Sequence, residues 1–188
     1  MVFDTQDALG GQIESEQDTV EGIDFSKVNP ATGPVYVKTA WPGDALVIEV
    51  EDINLGEKGI MLAVPGLGIL GDKVKVPTTK IVPTVEGKVM FSKNIALPMS
   101  PMIGVIGVAP ANGSASCGIA GDHGGNMDTK DIRQGVKLFL PVFVEGGLLA
   151  IGDVHAAMAD GESCGTGVEI TASVTVVINV IKGFPLKR

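Results

Sequence analysis

Glycine and proline interrupt this chain so often that no apolar stretch has room to continue as a long helix. There are 26 glycines and 11 prolines in 188 residues. Proline has no amide hydrogen to donate and clashes with the preceding turn, so Pro65, Pro77 and Pro83 exclude a helix through the middle of the sequence. Aromatic residues are only 4%, leaving Val, Ile, Leu and Ala to fill the interior. That combination favours many short strands joined by turns.

The apolar runs agree. Ala45–Val50 alternates, with Leu46, Ile48 and Val50 on one face. Ile103–Val108 reads as a short strand buried on both faces, Val136–Val144 as a strand broken at Pro141, and Leu148–His155 as another. Gly167–Ile181 reads as one long strand. Between Asp128 and Gly135 the spacing predicts a turn or two of helix, capped by Asp128 or Thr129 and stopped by the glycine. Residues 56–98 hold short apolar runs between prolines and glycines, read as edge strands and loops of a sub-domain or flap. The expected fold is mainly β with very little helix.

A formal charge of −8 without a basic stripe argues against nucleic acid or an anionic membrane as partner, and favours a small neutral or cationic molecule. No run of 18 apolar residues exists, and the first residues lack the basic and apolar regions of a signal peptide. Two cysteines, Cys117 and Cys164, form no CxxC pair. Together these features point to a soluble, reducing, cytoplasmic setting.

The chain has only two histidines, and both lie beside aspartates in glycine-dense segments: GDHGGNMD (Gly121–Asp128) and IGDVHAAMADGESCGTGVE (Ile151–Glu169). Histidine is the neutral nitrogen ligand and proton carrier suited to neutral pH. Strand alternation puts Leu149, Ile151, Asp153 and His155 on one side, so the last two continue an inward face. A carboxylate there is costly unless it is paired or metal-bound. Asp-x-His delivers an oxygen and a nitrogen to one point, as a zinc-like ion needs; the same pair would also serve as a structural hydrogen bond at a strand end.

In the first segment, His123 is positioned to complete a metal site or to polarise a carbonyl. The amides of Gly124 and Gly125 offer an anion-stabilising nest. A tight turn with a surface histidine is the plainer reading. Downstream, Glu162 in the Asp160-Gly161-Glu162 turn is the preferred general base, with Glu169 second; either would also be an ordinary solvated carboxylate. Cys164 is a lower-ranked candidate nucleophile.

The segments IGVIGVAPANG and GDHGGNMDTKDIRQGVKLFLPVFVEGGLLAIGDVHAAMADGESCGTGVEI closely resemble the acetamidase/formamidase family. DALGGQI and DFSKVNPATGPVYV with PGDALVIEV resemble its N-terminal region in the same order. The likeness covers nearly the whole chain, taken as one region (1–188) that looks short at both ends relative to the family. It implies a β-sandwich, jelly-roll-like fold with barrel-like or α+β parts, usually oligomeric, with a dimer the first expectation.

The resemblance also implies hydrolysis of formamide- or acetamide-like substrates to acid and ammonia, with related members acting on γ-lactams, and a divalent metal, zinc first. By motif, His123, Asp153, His155 and Glu162 carry over as site residues, with Asp7 and Gln12 as contributors to substrate binding. Many members have proline where this chain has Asp122, which counts against Asp122 as a ligand. The expected arrangement has Asp153, His155 and His123 holding the metal, Glu162 moving the proton, and Gly124 and Gly125 facing the substrate oxygen. The alternative is a non-catalytic or cupin-like metal-binding β module.

Overall fold

The computed structural model describes residues 1–184 and 186. Two antiparallel sheets carry the chain. The smaller has four strands in the order β1 (Val2–Thr5), β14 (Ala172–Ile181), β3 (Ala45–Leu55), β11 (Lys137–Pro141). The larger runs β7 (Ile95–Pro98), β6 (Lys88–Ser92), β5 (Thr78–Val85), β4 (Lys58–Ala63), β13 (Glu169–Ile170), β12 (Leu149–His155), β8 (Met102–Gly107), β10 (Gly124–Asn126), β9 (Ala120–Gly121). A tenth strand, β2 (Ala31–Val35), joins this sheet by pairing with β12. The only helical pieces among the described residues are single 3₁₀ turns at Val20–Gly22 and Phe25–Lys27. None is long and apolar enough to cross a membrane.

The predicted inner face of β3 is buried, with Leu46, Ile48 and Val50 fully covered, but Ala45 and Val47 on the other face are buried as well. Leu46, Ile48 and Val50 join one core with Ile103, Ile106, Leu149 and Ile151 of the larger sheet. Each such side chain contributes roughly 1.5–3 kcal/mol by leaving water.

Two expectations change. The long strand expected over Gly167–Ile181 is two strands, because the chain crosses from one sheet to the other at Thr171. The helix expected at 128–135 is a series of turns. Its amides and carbonyls bond outward: Met127 N and Asp128 N donate to Gly104 O, Gly135 N donates to Val50 O, and Ile132 O accepts from Ile103 N. Ile132 is drawn into the core, and the backbone cannot close its own helical ring. Residues 56–98 form the β4–β7 meander, which continues the larger sheet through the β4–β13 pairing.

The topology opens a gap at one point. Along one edge β12 keeps one register with β8 from Ala150↔Gly107 to His155↔Met102, skipping only the position of Asp153. Along the other, its partner changes from β2, last paired at Gly152↔Ala31, to β13, first paired at Val154↔Ile170. Asp153 occupies the break between them, with φ of 52°.

Candidate active site

The break in pairing becomes the floor of a cavity. His155, fully buried, lies opposite Glu169 in the β12–β13 pair. Its Nε2 is 3.0 Å from Glu169 Oε2, 3.2 Å from Asp153 Oδ1, 3.8 Å from Glu162 Oε1 and 4.0 Å from Asp128 Oδ1. Four carboxylates thus converge on one imidazole. Gly167 N ties two of them together, donating to Glu162 Oε1 at 2.6 Å and to Glu169 Oε1 at 2.8 Å. This holds the DGE loop against β13.

Two glycines make room for the cluster. A Cβ on Gly104, across from Asp153, would sit 2.6 Å from Asp128 Oδ1 and 2.8 Å from Asp153 Oδ2. A Cβ on Gly167 would sit 2.7 Å from His155 Nδ1. Both are closer than real Cβ contacts, so a side chain at either position would displace a site residue.

The charges are unbalanced. Burial works against a charged His155, but hydrogen bonds and charges from Asp153 and Glu169 outweigh it and push the imidazole up to about 11. Burial, followed by the charges of Asp153 and Glu162, pushes Asp128 up to about 6. Burial also raises Glu169, against the hydrogen bond and charge of His155. The single Nε2 hydrogen cannot serve every oxygen around it. Nε2 lies within reach of both Asp153 Oδ1 and Glu169 Oε2, and its one hydrogen leaves other oxygens of the cluster, Asp128 Oδ1 included, without a donor.

Unpartnered buried acceptors beside an imidazole nitrogen suit a divalent cation, which satisfies several oxygens at once. Two overlapping sets have ligand atoms within 4.8 Å of one another: Asp128, Asp153 and His155, and His155, Glu162 and Glu169. These residues could hold a metal ion. Asp128, Asp153, Glu162 and Glu169 line a cavity of about 330 Å³, whose other walls include Leu9, Ile23, Leu62 and Val64. An apolar cleft with convergent polar groups is the usual form of a small-molecule site.

Of the residues singled out from sequence, Asp153, His155 and Glu162 come together here, joined by Glu169, the second-choice base. His123 does not. It sits in the β9–β10 turn with its ring folded over Gly121 and Gly125, and lines a separate cavity of about 360 Å³ with Cys117 and Leu148. A hairpin-turn side chain projects from the end of its ladder, which carries His123 away from the gap in β12.

Gly124 and Gly125 also lie off the cavity, paired within β10 to β8 and β9. Their glycine character serves close packing: a Cβ on Gly124 would meet Ile106 O at 2.4 Å. Asp7 accepts from Leu9 N and Gly11 N. Gln12 bonds Leu9 O and the Asp24 backbone. Both shape the loop that brings Ala8 and Leu9 to the cavity wall, and neither side chain lines it. Cys164 faces a different, apolar groove with Phe91 and Leu97.

Asp128, Gly104 and Gly167 were not visible as site residues in the sequence. Asp128 fitted either a site or a helix cap, with nothing to choose between them, and the glycines carried no signal apart from their surroundings.

The sequence profile of the Acetamidase/Formamidase family matches residues 1–117 and 113–187. The chain belongs to this family. Family members of known structure share its fold: an acetamidase from Bacillus halodurans superposes with a TM-score of 0.96 at 51% identity, over 98% of this chain and 63% of the other. A gamma lactamase from Delftia acidovorans gives a TM-score of 0.86 at 25% identity, over 97% of this chain and 59% of the other. The formamidase of Methylophilus methylotrophus is 25% identical over 236 residues, covering 94% of this chain and 58% of that protein. The chain therefore spans somewhat under two thirds of these relatives.

Proposed function

We propose that this family member hydrolyses short aliphatic carboxamides, of the formamide and acetamide kind, to carboxylic acid and ammonia. The observation that carries the reading is the set of Asp128, Asp153, Glu162 and Glu169, which line a small cavity and converge on the His155 imidazole buried behind them. The names of its relatives support the amide-hydrolase class.

In this proposal His155, Asp153 and Glu169 hold a divalent ion, with Asp128 at its edge and zinc the first candidate. Such an ion would supply Lewis acidity, polarising the amide carbonyl and acidifying water nearby. Glu162 faces the cavity and is fixed by the Gly167 amide, so it is placed to take the proton from water and return it to the departing nitrogen. Asp128, raised to about 6, exchanges protons near neutral pH and is the second carrier. Leu9, Ile23 and Leu62 pack the acyl group; apolar walls of this kind separate acyl lengths by only about 1–3 kcal/mol per methylene. A cavity of about 330 Å³ also has room for a cyclic amide, the substrate type named for the Delftia relative.

Ammonia release from formamide and acetamide tests the reading, with Glu162→Gln beside the unsubstituted chain. The expected result is turnover that falls by roughly 10²–10⁴ in the variant. No release from either amide, or full activity in Glu162→Gln, would overturn it.

A further inference from the structure

Backbone strain gathers around the cavity. Among the described residues five non-glycine positions have positive φ, and three of them line it: Asn29 at 51°, Asp128 at 40° and Asp153 at 52°. This left-handed conformation is costly for a residue with a side chain, and it persists where the surroundings hold it, often at binding sites.

Two of the three are in contact: Asn29 Nδ2 donates to Asp153 Oδ2 at 3.4 Å. The Asn29 backbone is pinned as well, its N–H donating to Ala8 O at 2.7 Å. An ionised carboxylate only accepts hydrogen bonds, so the contact with Asp153 sets which end of the Asn29 carboxamide is nitrogen. Oδ1 is the free end, and no protein group among the described residues donates to it.

The polar wall around Asn29 is otherwise mostly carboxylate. Asn126, another carboxamide there, gives its amide nitrogen to Asp128 and has its oxygen sealed from solvent. Asn29 is half-buried on the cavity wall, beside Asp153 and next to the apolar surface of Leu9.

We propose that Asn29 is a substrate-binding residue that reads the amide group itself, its Oδ1 accepting one N–H of the substrate. The inference rests on the amide-hydrolase reading above and deepens it. Asn29 then sets selectivity for carboxamides bearing an N–H over esters and fully N-substituted amides. The contact with Asp153 links this recognition to the floor of the site, so a bound amide is held over the carboxylate cluster.

Asn29→Gly tests this cleanly, because glycine adopts a φ of 51° without penalty and removes only the carboxamide. The measurement is an NMR titration of the full chain and the variant with acetamide and with N,N-dimethylacetamide. The unsubstituted chain should prefer acetamide by about tenfold, the usual worth of one hydrogen bond. Asn29→Gly should melt at the same temperature and lose that preference. Should the glycine variant not fold, Asn29→Ser, whose hydroxyl is shorter, gives the same readout.

Equal affinity for the two compounds in the unsubstituted chain overturns the inference. So does a preference that survives in the variant, which would assign Asn29 to the turn alone. Binding is read apart from ammonia release. A chain that shows the preference but releases no ammonia upholds the inference and overturns the hydrolase reading.

Discussion

Glu169 and His155 are direct neighbours across β13 and β12, with Oε2 3.0 Å from Nε2 and both side chains buried. Removing one partner of a buried charged pair strands the other. His155→Ala should therefore destabilise the metal-free chain by about 3–5 kcal/mol, seen as a lower urea midpoint. A midpoint within error of the unsubstituted chain would mean the pair contributes nothing to folding.

Gly104→Ala should disrupt the site from across the sheet. Its Cβ would fall 2.6 Å from Asp128 Oδ1 and 2.7 Å from the Asp153 carbonyl, costing about 1–3 kcal/mol and weakening cation binding. Gly22→Ala is the control, since its Cβ meets nothing within 4 Å. Thermal melts and cation titrations of the two variants should diverge.

The metal-free chain should lose stability as pH rises. Asp128 binds its proton more tightly folded, at about 6 against an ordinary 3.8, so the folded state holds more protons between these values and stability falls across about pH 4–6. His155 works in the same sense: its contribution is full below 6.5 and is lost as pH rises towards about 11. Asp44, held down to about 2 by hydrogen bonds from Lys182 and from the Gly183 and Trp41 amides, acts oppositely at lower pH. The check is therefore the difference between the unsubstituted chain and Asp128→Asn in chelator. That difference should slope downward from pH 4 to 6, and a flat difference would contradict the account.

A divalent ion should stabilise the fold through this site. At a hundred times its dissociation constant, a ligand of the folded state adds about 2.7 kcal/mol. Zinc or manganese should raise the melting temperature of the unsubstituted chain, and Asp153→Asn should blunt the rise. An equal rise in both would place the ion elsewhere.

How much of this was legible in the sequence depends on distance along the chain. The β class and the buried face of β3 follow from local alternation, which Leu46, Ile48 and Val50 obey. The Asp153–His155 pair was readable for the same reason, because two residues of one strand share a face. Glu169 was only a second choice, since its placement depends on the crossing at Thr171 that puts β13 beside β12. Asp128 carried the marks of a helix cap. Long-range bonds to Gly104 O and from Ile103 N unmake that helix, and no local pattern reports them. His123 lies apart from the cluster, which its sequence could not report, because composition singles out a rare residue without saying where its turn points.

The most direct test is an anomalous-scattering map at a metal absorption edge, from crystals grown with zinc. The account predicts one strong peak within bonding distance of His155 Nε2 and the Asp153 and Glu169 carboxylates. A peak beside His123 and Cys117 with none at His155 would contradict it.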